Sequence, residues 1–123
     1  MLMVNINPIY FDLDKSNIRE DAAIEIEKVI RVMKEYPEIH IDLGSHTDSR
    51  APEQYNLKLS ERRAKSSRDW MIARGISPER ITATGYGEKQ LVNECSDNED
   101  CTEAEHQLNR RTEFVIVNPE AIK

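Results

Sequence analysis

The chain has 123 residues, a hydrophobic share of 38%, a charged share of 33% and a formal net charge of −6 at pH 7, the balance of one globular domain with a well-solvated surface. That acidity argues against nucleic acid and anionic lipid, since both are held largely by neutralising them with Lys and Arg. No run approaches the roughly 20 apolar residues of a membrane helix, and Met1-Leu2-Met3-Val4 is too short for a signal peptide's apolar region, so any export signal is expected on a longer parent chain or to have been removed earlier.

The segment Pro8-Ile9-Tyr10-Phe11-Asp12 combines β-branched and aromatic residues and reads as a strand. Asn17 can cap a following helix with Glu20 as its capping-box partner, and Ala22, Ile26, Val29, Ile30 and Met33 recur at helical spacing until Pro37 stops it. Ile39, Ile41 and Leu43 alternate with His40, Asp42 and Gly44, the pattern of a strand with one buried face, which runs into Ser45-His46-Thr47-Asp48. A polar connection over 49–54 leads to a helix from about Asn56 to Arg74. Its Ser60, Ala64, Ser67 and Met71 form a small-residue stripe suited to close packing on a sheet, with Gly75 as a left-handed cap. Ser67 needs a hydrogen-bond partner if that stripe is buried.

Ser77-Pro78-Glu79 signals a single helical turn, and 80–86 a strand. After a polar loop, Thr102 to Leu108 suits a short helix and Thr112 to Val117 a last β-rich run. The order strand, helix, strand, helix, strand, strand predicts an α/β (α+β) fold, a small mixed β-sheet with helices packed on it, in one domain spanning 1–123 with its core over about 8–117.

Cys95 and Cys101 lie in the polar loop. A disulfide fits them and would imply an oxidising compartment; free thiols are the main rival. Structural zinc favours Cys pairs two to four residues apart with a second pair nearby, so no metal is expected. His46 beside Asp48 suggests a metal or acid-base role, yet no His-x-His or Glu-x-x-His spacing supports one, and a hydrogen-bonded structural histidine is the expected reading. Ser60, Ser66 and Ser67 lack a nucleophile-elbow context, so the sequence names no catalytic group and implies no cofactor.

Ser45-His46-Thr47-Asp48, the run from Tyr55-Asn56 through Leu59-Ser60-Glu61-Arg62-Arg63-Ala64, Arg74-Gly75-Ile76, Ile81 to Glu88, and Asn109-Arg110-Arg111-Thr112-Glu113-Phe114 resemble successive blocks of the OmpA-like domain signature, with Tyr10-Phe11-Asp12 resembling its opening strand. Spaced blocks in the right order over nearly the whole chain are far more specific than a single short motif. The resemblance implies a non-enzymatic periplasmic domain, such as ends an outer-membrane protein, a peptidoglycan-associated lipoprotein or a flagellar stator subunit. Such domains bind the peptide stem of peptidoglycan, usually at meso-diaminopimelate, without cutting it. This chain is then expected to be a piece of a longer outer-membrane-associated protein, meeting the membrane only through that parent. It departs from the pattern at Ser45 (usually Gly), at Ser67 (commonly Val), in Lys89-Gln90-Leu91-Val92, which lacks the usual Pro, and in the cysteine-bearing insertion.

By the same resemblance the ligand pair is Asp48 and Arg63. The chemistry suits: the free end of diaminopimelate carries an ammonium and a carboxylate on one carbon, and a guanidinium holds a carboxylate through two parallel hydrogen bonds, which a lysine cannot copy. Arg62 is about 100° away around the helix and is expected at the surface. Asn56 is expected either to hold the ligand or to cap its helix, Thr47 to add a donor, and Asp14, Asn17 and Arg110 to line the rim; Arg111 suits an ion pair within the fold. The rival function is a protein-interaction module on the same fold, with Trp70 as anchor if exposed, although packing is the commoner role of such a residue.

Overall fold

The computed structural model describes residues 6–96 and 100–121. Strand β1, Ile9–Tyr10, is followed by helix α1, Glu20–Glu35, which buries Ala22, Ile26, Val29, Ile30 and Met33, the five positions that helical spacing singles out. Fully burying each large aliphatic chain contributes about 1.5–3 kcal/mol, so this stripe fixes α1 on the core. Asn17 does not cap the helix. The N-cap is Arg19, without a side-chain capping bond, and its guanidinium instead forks onto Asp21 at 3.0 and 2.9 Å. The carbonyls of Asp12 and Lys15 accept hydrogen bonds from Arg63, which holds the chain in an open loop there and delays the helix.

Strand β2, Ile41–Ser45, keeps the expected alternation, with Ile41, Leu43 and Ser45 facing inward and Asp42 outward. Helix α2, Glu53–Ala73, starts directly after Pro52 and therefore earlier than predicted; Asn56 sits inside its first turn and caps nothing. Proline's fixed φ and missing N–H suit a helix entrance. Gly75 follows with φ +100°, the expected left-handed conformation, and the Ile76 amide donates to the Met71 carbonyl at 3.2 Å.

After a 3-10 turn at Pro78–Arg80, strand β3, Ile81–Gly85, pairs parallel with β2 from Ile41↔Ile81 to Ser45↔Gly85, so α2 is the crossover. A short helix α3, Glu103–Gln107, precedes strand β4, Arg111–Ile116, which lies antiparallel to both β2 and β1 and gives the sheet order β1-β4-β2-β3. The mixed sheet and helices are those expected.

Gly85 lets β3 and α2 touch: a Cβ there would stand 2.5 Å from the Glu61 amide nitrogen and 2.6 Å from Ser60 Oγ. Ser60 belongs to that junction, donating to the Leu57 carbonyl and accepting from the Gly87 amide. Ser45 and Ser67, two of the departures from the family pattern, meet at Thr112. Ser45 Oγ is 2.6 Å and Ser67 Oγ 3.2 Å from Thr112 Oγ1. Donor counting orders the chain. Ser67 gives its single proton to the Arg63 carbonyl at 2.8 Å, so Thr112 donates to Ser67 and Ser45 to Thr112. Three buried hydroxyls thus satisfy one another between β2, β4 and α2.

Cys95 and Cys101 form a disulfide, with Cα atoms 6.0 Å apart. It ties down the loop before α3, whose start carries a capping box between Thr102 and Glu105.

Candidate functional site

Asp48 lies just past the carboxyl end of β2. The amides of His46 and Thr47 still bond across the sheet end, to the carbonyls of Arg111 and Gly87, so its backbone is held by two neighbouring segments. Asn56 reinforces this from α2: its Nδ2 lies 3.1, 2.9 and 3.1 Å from the Asp48 carbonyl, the Ala51 carbonyl and Glu88 Oε1. Asn56 therefore shapes the loop that carries Asp48.

The Asp48 carboxylate is the inner corner of a closed ring of alternating charge. Its Oδ2 accepts from Arg50 Nη2 at 2.7 Å and from Arg110 Nη1 at 3.2 Å, while Oδ1 accepts from the Arg50 amide at 3.1 Å. The outer corner is Glu103, which takes Arg50 Nη1 and Arg110 Nη2, each at 2.8 Å, on separate oxygens. Arg110 also donates from Nε to the Phe11 carbonyl at 2.8 Å. Side-chain exposures of 5% for Asp48 and 3% for Arg110, against 33% for Arg50 and 59% for Glu103, make one side of the ring interior and the other reachable from water. Burial by itself would raise the Asp48 carboxyl, but hydrogen bonds from Arg50, then Arg110, outweigh it and hold it below the usual range, so it is an anion at neutral pH.

Arg63 is fully buried beside this ring, its guanidinium 5.0 Å from the Phe11 ring centroid. It does not bond to Asp48 directly. Nε, Nη1 and Nη2 donate to the carbonyls of Lys15, His46 and Asp12 at 2.8, 2.9 and 3.1 Å. A guanidinium has five N–H groups, so one on each terminal nitrogen is left over. Desolvation, and next the charge of Arg110, push its pKa down to about 10, while Asp48 and Asp14 act the other way; it stays a cation. Arg50, Arg63 and Arg110 against Asp48 and Glu103 leave the cluster with one excess positive charge.

The remaining predicted residues divide. Thr47 is buried, and its hydroxyl has no hydrogen-bond partner among the described residues. Asp14 is exposed, in a left-handed conformation at φ +58°, and accepts from the Tyr55 hydroxyl at 3.2 Å. Asn17 is exposed at the end of the same loop. The structure thus gathers Asp48, Arg63, Arg110 and Thr47 in one region, with Asn56 as a brace and the segment from Asp12 to Lys15 bonded to Arg63.

Comparison with known proteins identifies the family and the fold. The OmpA family matches residues 10–105. The chain belongs to the OmpA family. Among relatives of this OmpA-family domain, outer membrane porin F of Pseudomonas fluorescens is 39% identical over 108 residues, covering 88% of this chain and 32% of the porin. The peptidoglycan-associated lipoprotein of Brucella melitensis biotype 1 is 38% identical over 87 residues, covering 71% of this chain and 52% of the lipoprotein. The domain therefore spans a third to a half of the length of these relatives. The crystal structure of the peptidoglycan-associated lipoprotein from Burkholderia pseudomallei superimposes with a TM-score of 0.79 at 26% identity, covering 88% of this chain and 87% of that one.

Sequence reasoning missed Arg50 and Glu103 in the charged ring around Asp48. Arg50 is two residues from Asp48 and was open to notice as a neighbouring cation; Glu103 is 53 residues further on, behind the insertion, where no local pattern connects it. His46 is buried and structural: it stacks on Tyr86 with centroids 5.3 Å apart, and Nε2 lies 3.3 Å from the Glu113 carboxylate. Desolvation, and next the charge of Arg111, lower its pKa to about 4, so at neutral pH it is an uncharged donor to Glu113. Arg111 pairs with Glu113 at 3.1 Å, the ion pair expected within the fold. Trp70 packs against the core beneath the Arg74 guanidinium, 3.5 Å from its ring centroid.

Proposed function

We propose that the domain anchors its parent protein to the cell wall in the periplasm by non-covalent binding of peptidoglycan, through the diaminopimelate of the stem peptide. The observation that carries this reading is a buried Asp48 anion beside a buried Arg63 that keeps two unused N–H groups. Asp48 accepts the ligand's ammonium. Arg63 takes the carboxylate on the same carbon, and the unpartnered Thr47 hydroxyl adds a further polar contact. Segment 12–15, whose four residues are exposed, covers Arg63 and gives way as the head group enters. The names of the relatives, an outer membrane porin and two peptidoglycan-associated lipoproteins, support the cell wall and the outer membrane as its setting.

Selectivity follows from what a wrong ligand strands. A lysine-type stem lacks the distal carboxylate and leaves Arg63 without its anion in a desolvated site, a cost of about 1–3 kcal/mol or more. Binding without cleavage is the proposed activity, since the site offers an anion held ionised and cations but no poised proton donor. Pulldown with purified sacculi tests both halves. Wild type is expected in the pellet and Asp48→Asn in the supernatant. Equal retention of the two would remove Asp48 from the site, and soluble muropeptides appearing during incubation would make the domain an enzyme.

A further inference from the structure

The ring around Asp48 contains a carboxylate that resembles a ligand more than a structural partner. Glu103 bridges Arg50 and Arg110 with one oxygen on each guanidinium, both at 2.8 Å, as an incoming carboxylate would. Its side chain is 59% exposed and is the first residue of a five-residue helix, so it can leave by rotating into water while α3 stays where the disulfide and the Thr102–Glu105 capping box hold it. Arg110 cannot leave. At 3% exposure, with Nε fixed on the Phe11 carbonyl and Nη1 on Asp48, it holds Nη2 in place for a second carboxylate, the position Glu103 now fills.

We propose that Arg50 and Arg110 form a second carboxylate-binding fork for the stem peptide, beside Arg63, and that Glu103 is a resident competitor which the wall ligand displaces. The inference rests on the wall-binding reading and adds to it two residues of opposite effect. Glu103 itself is largely in water, so its exit costs little once another carboxylate takes its place on the two guanidinium groups, and the ligand carboxylate arrives already tethered by its ammonium on Asp48. Diaminopimelate-type stems carry more than one free carboxylate, which is the chemistry this fork requires. The hydrogen bonds from Arg50, and next from Arg110, hold the Glu103 carboxyl below the usual range, so the competitor is charged at neutral pH.

Titration of a soluble diaminopimelate-type stem tripeptide against wild type, Glu103→Gln and Arg50→Gln tests the proposal, with thermal melts to establish that each variant is folded. Glu103→Gln is expected to bind about three- to tenfold more tightly and Arg50→Gln about three- to tenfold more weakly. A ring that only braces the loop would shift both variants the same way or neither, and either result overturns the proposal while leaving wall binding intact. Failure of wild type to bind both the tripeptide and sacculi would instead sink the wall reading, and this inference with it.

Discussion

Replacing Arg63 by alanine would leave the carbonyls of Asp12, Lys15 and His46 without their donors at once. Only the His46 acceptor is buried, the other two lying on the exposed segment 12–15 where water can replace the donor, so Arg63→Ala is expected to lose about 1–3 kcal/mol in urea unfolding as well as wall binding. Arg62→Ala should do neither: that side chain is exposed, 6.0 Å from the Tyr55 ring, and retention on sacculi close to wild type is the expected result. A second consequence at this scale concerns pH. His46 has a folded pKa of about 4 against an ordinary 6.5, so the unfolded chain takes up the proton first as pH falls. Its share of stability is fully present above about pH 6.5 and is lost on the way down to about pH 4, by up to roughly 3 kcal/mol. Asp48 adds a loss of its own only below the ordinary carboxylate range, because its folded pKa is depressed. Denaturant melts between pH 7 and pH 4.5 should therefore show falling stability in wild type and a flatter profile in His46→Gln; equal slopes would contradict the buried neutral histidine.

The elements were legible to different degrees, for physical reasons. In α1 the five core residues recur at helical spacing and nothing else competes, so pattern alone found its buried face. Its entrance was misread because Asn17 has the chemistry of a cap, while the real constraint, Arg63 gripping two carbonyls of the loop, comes from a residue more than 40 positions away. The start of α2 was misplaced for a related reason: Asn56 looked like a cap, but Pro52 opens the helix and Asn56 braces the Asp48 loop. The small-residue stripe on α2 was read correctly as a close-packing face, and Gly85 is its counterpart on β3. Gly85→Ala pushes a methyl to within 2.5 Å of the Glu61 amide nitrogen and 2.6 Å of Ser60 Oγ, so α2 or β3 must shift to admit it. A loss of about 1–3 kcal/mol in urea unfolding is expected, and an unchanged midpoint would show that α2 and β3 are not locked together.

Across the whole molecule, arginines on carbonyls do much of the holding. Arg63, Arg80, Arg110 and Arg111 each donate to main-chain oxygens far from them in sequence, which satisfies loop backbone that no helix or strand can serve. This is why the site is only half visible from residue types. Asp48 could be placed at a strand end, and its family position pointed to Arg63; but that Asp48 faces Arg50 and Arg110, and that Arg63 faces carbonyls, depends on how four distant segments converge. The same convergence gives the OmpA-family domain a neutral ring with one spare buried cation beside it, the arrangement on which the proposed recognition of diaminopimelate rests. Calorimetric titration of wild type with diaminopimelate-type and lysine-type stem peptides tests that most directly. A preference of about tenfold or more for the diaminopimelate form is expected, abolished in Asp48→Asn; equal affinity for both stems would contradict recognition of a paired ammonium and carboxylate at this site.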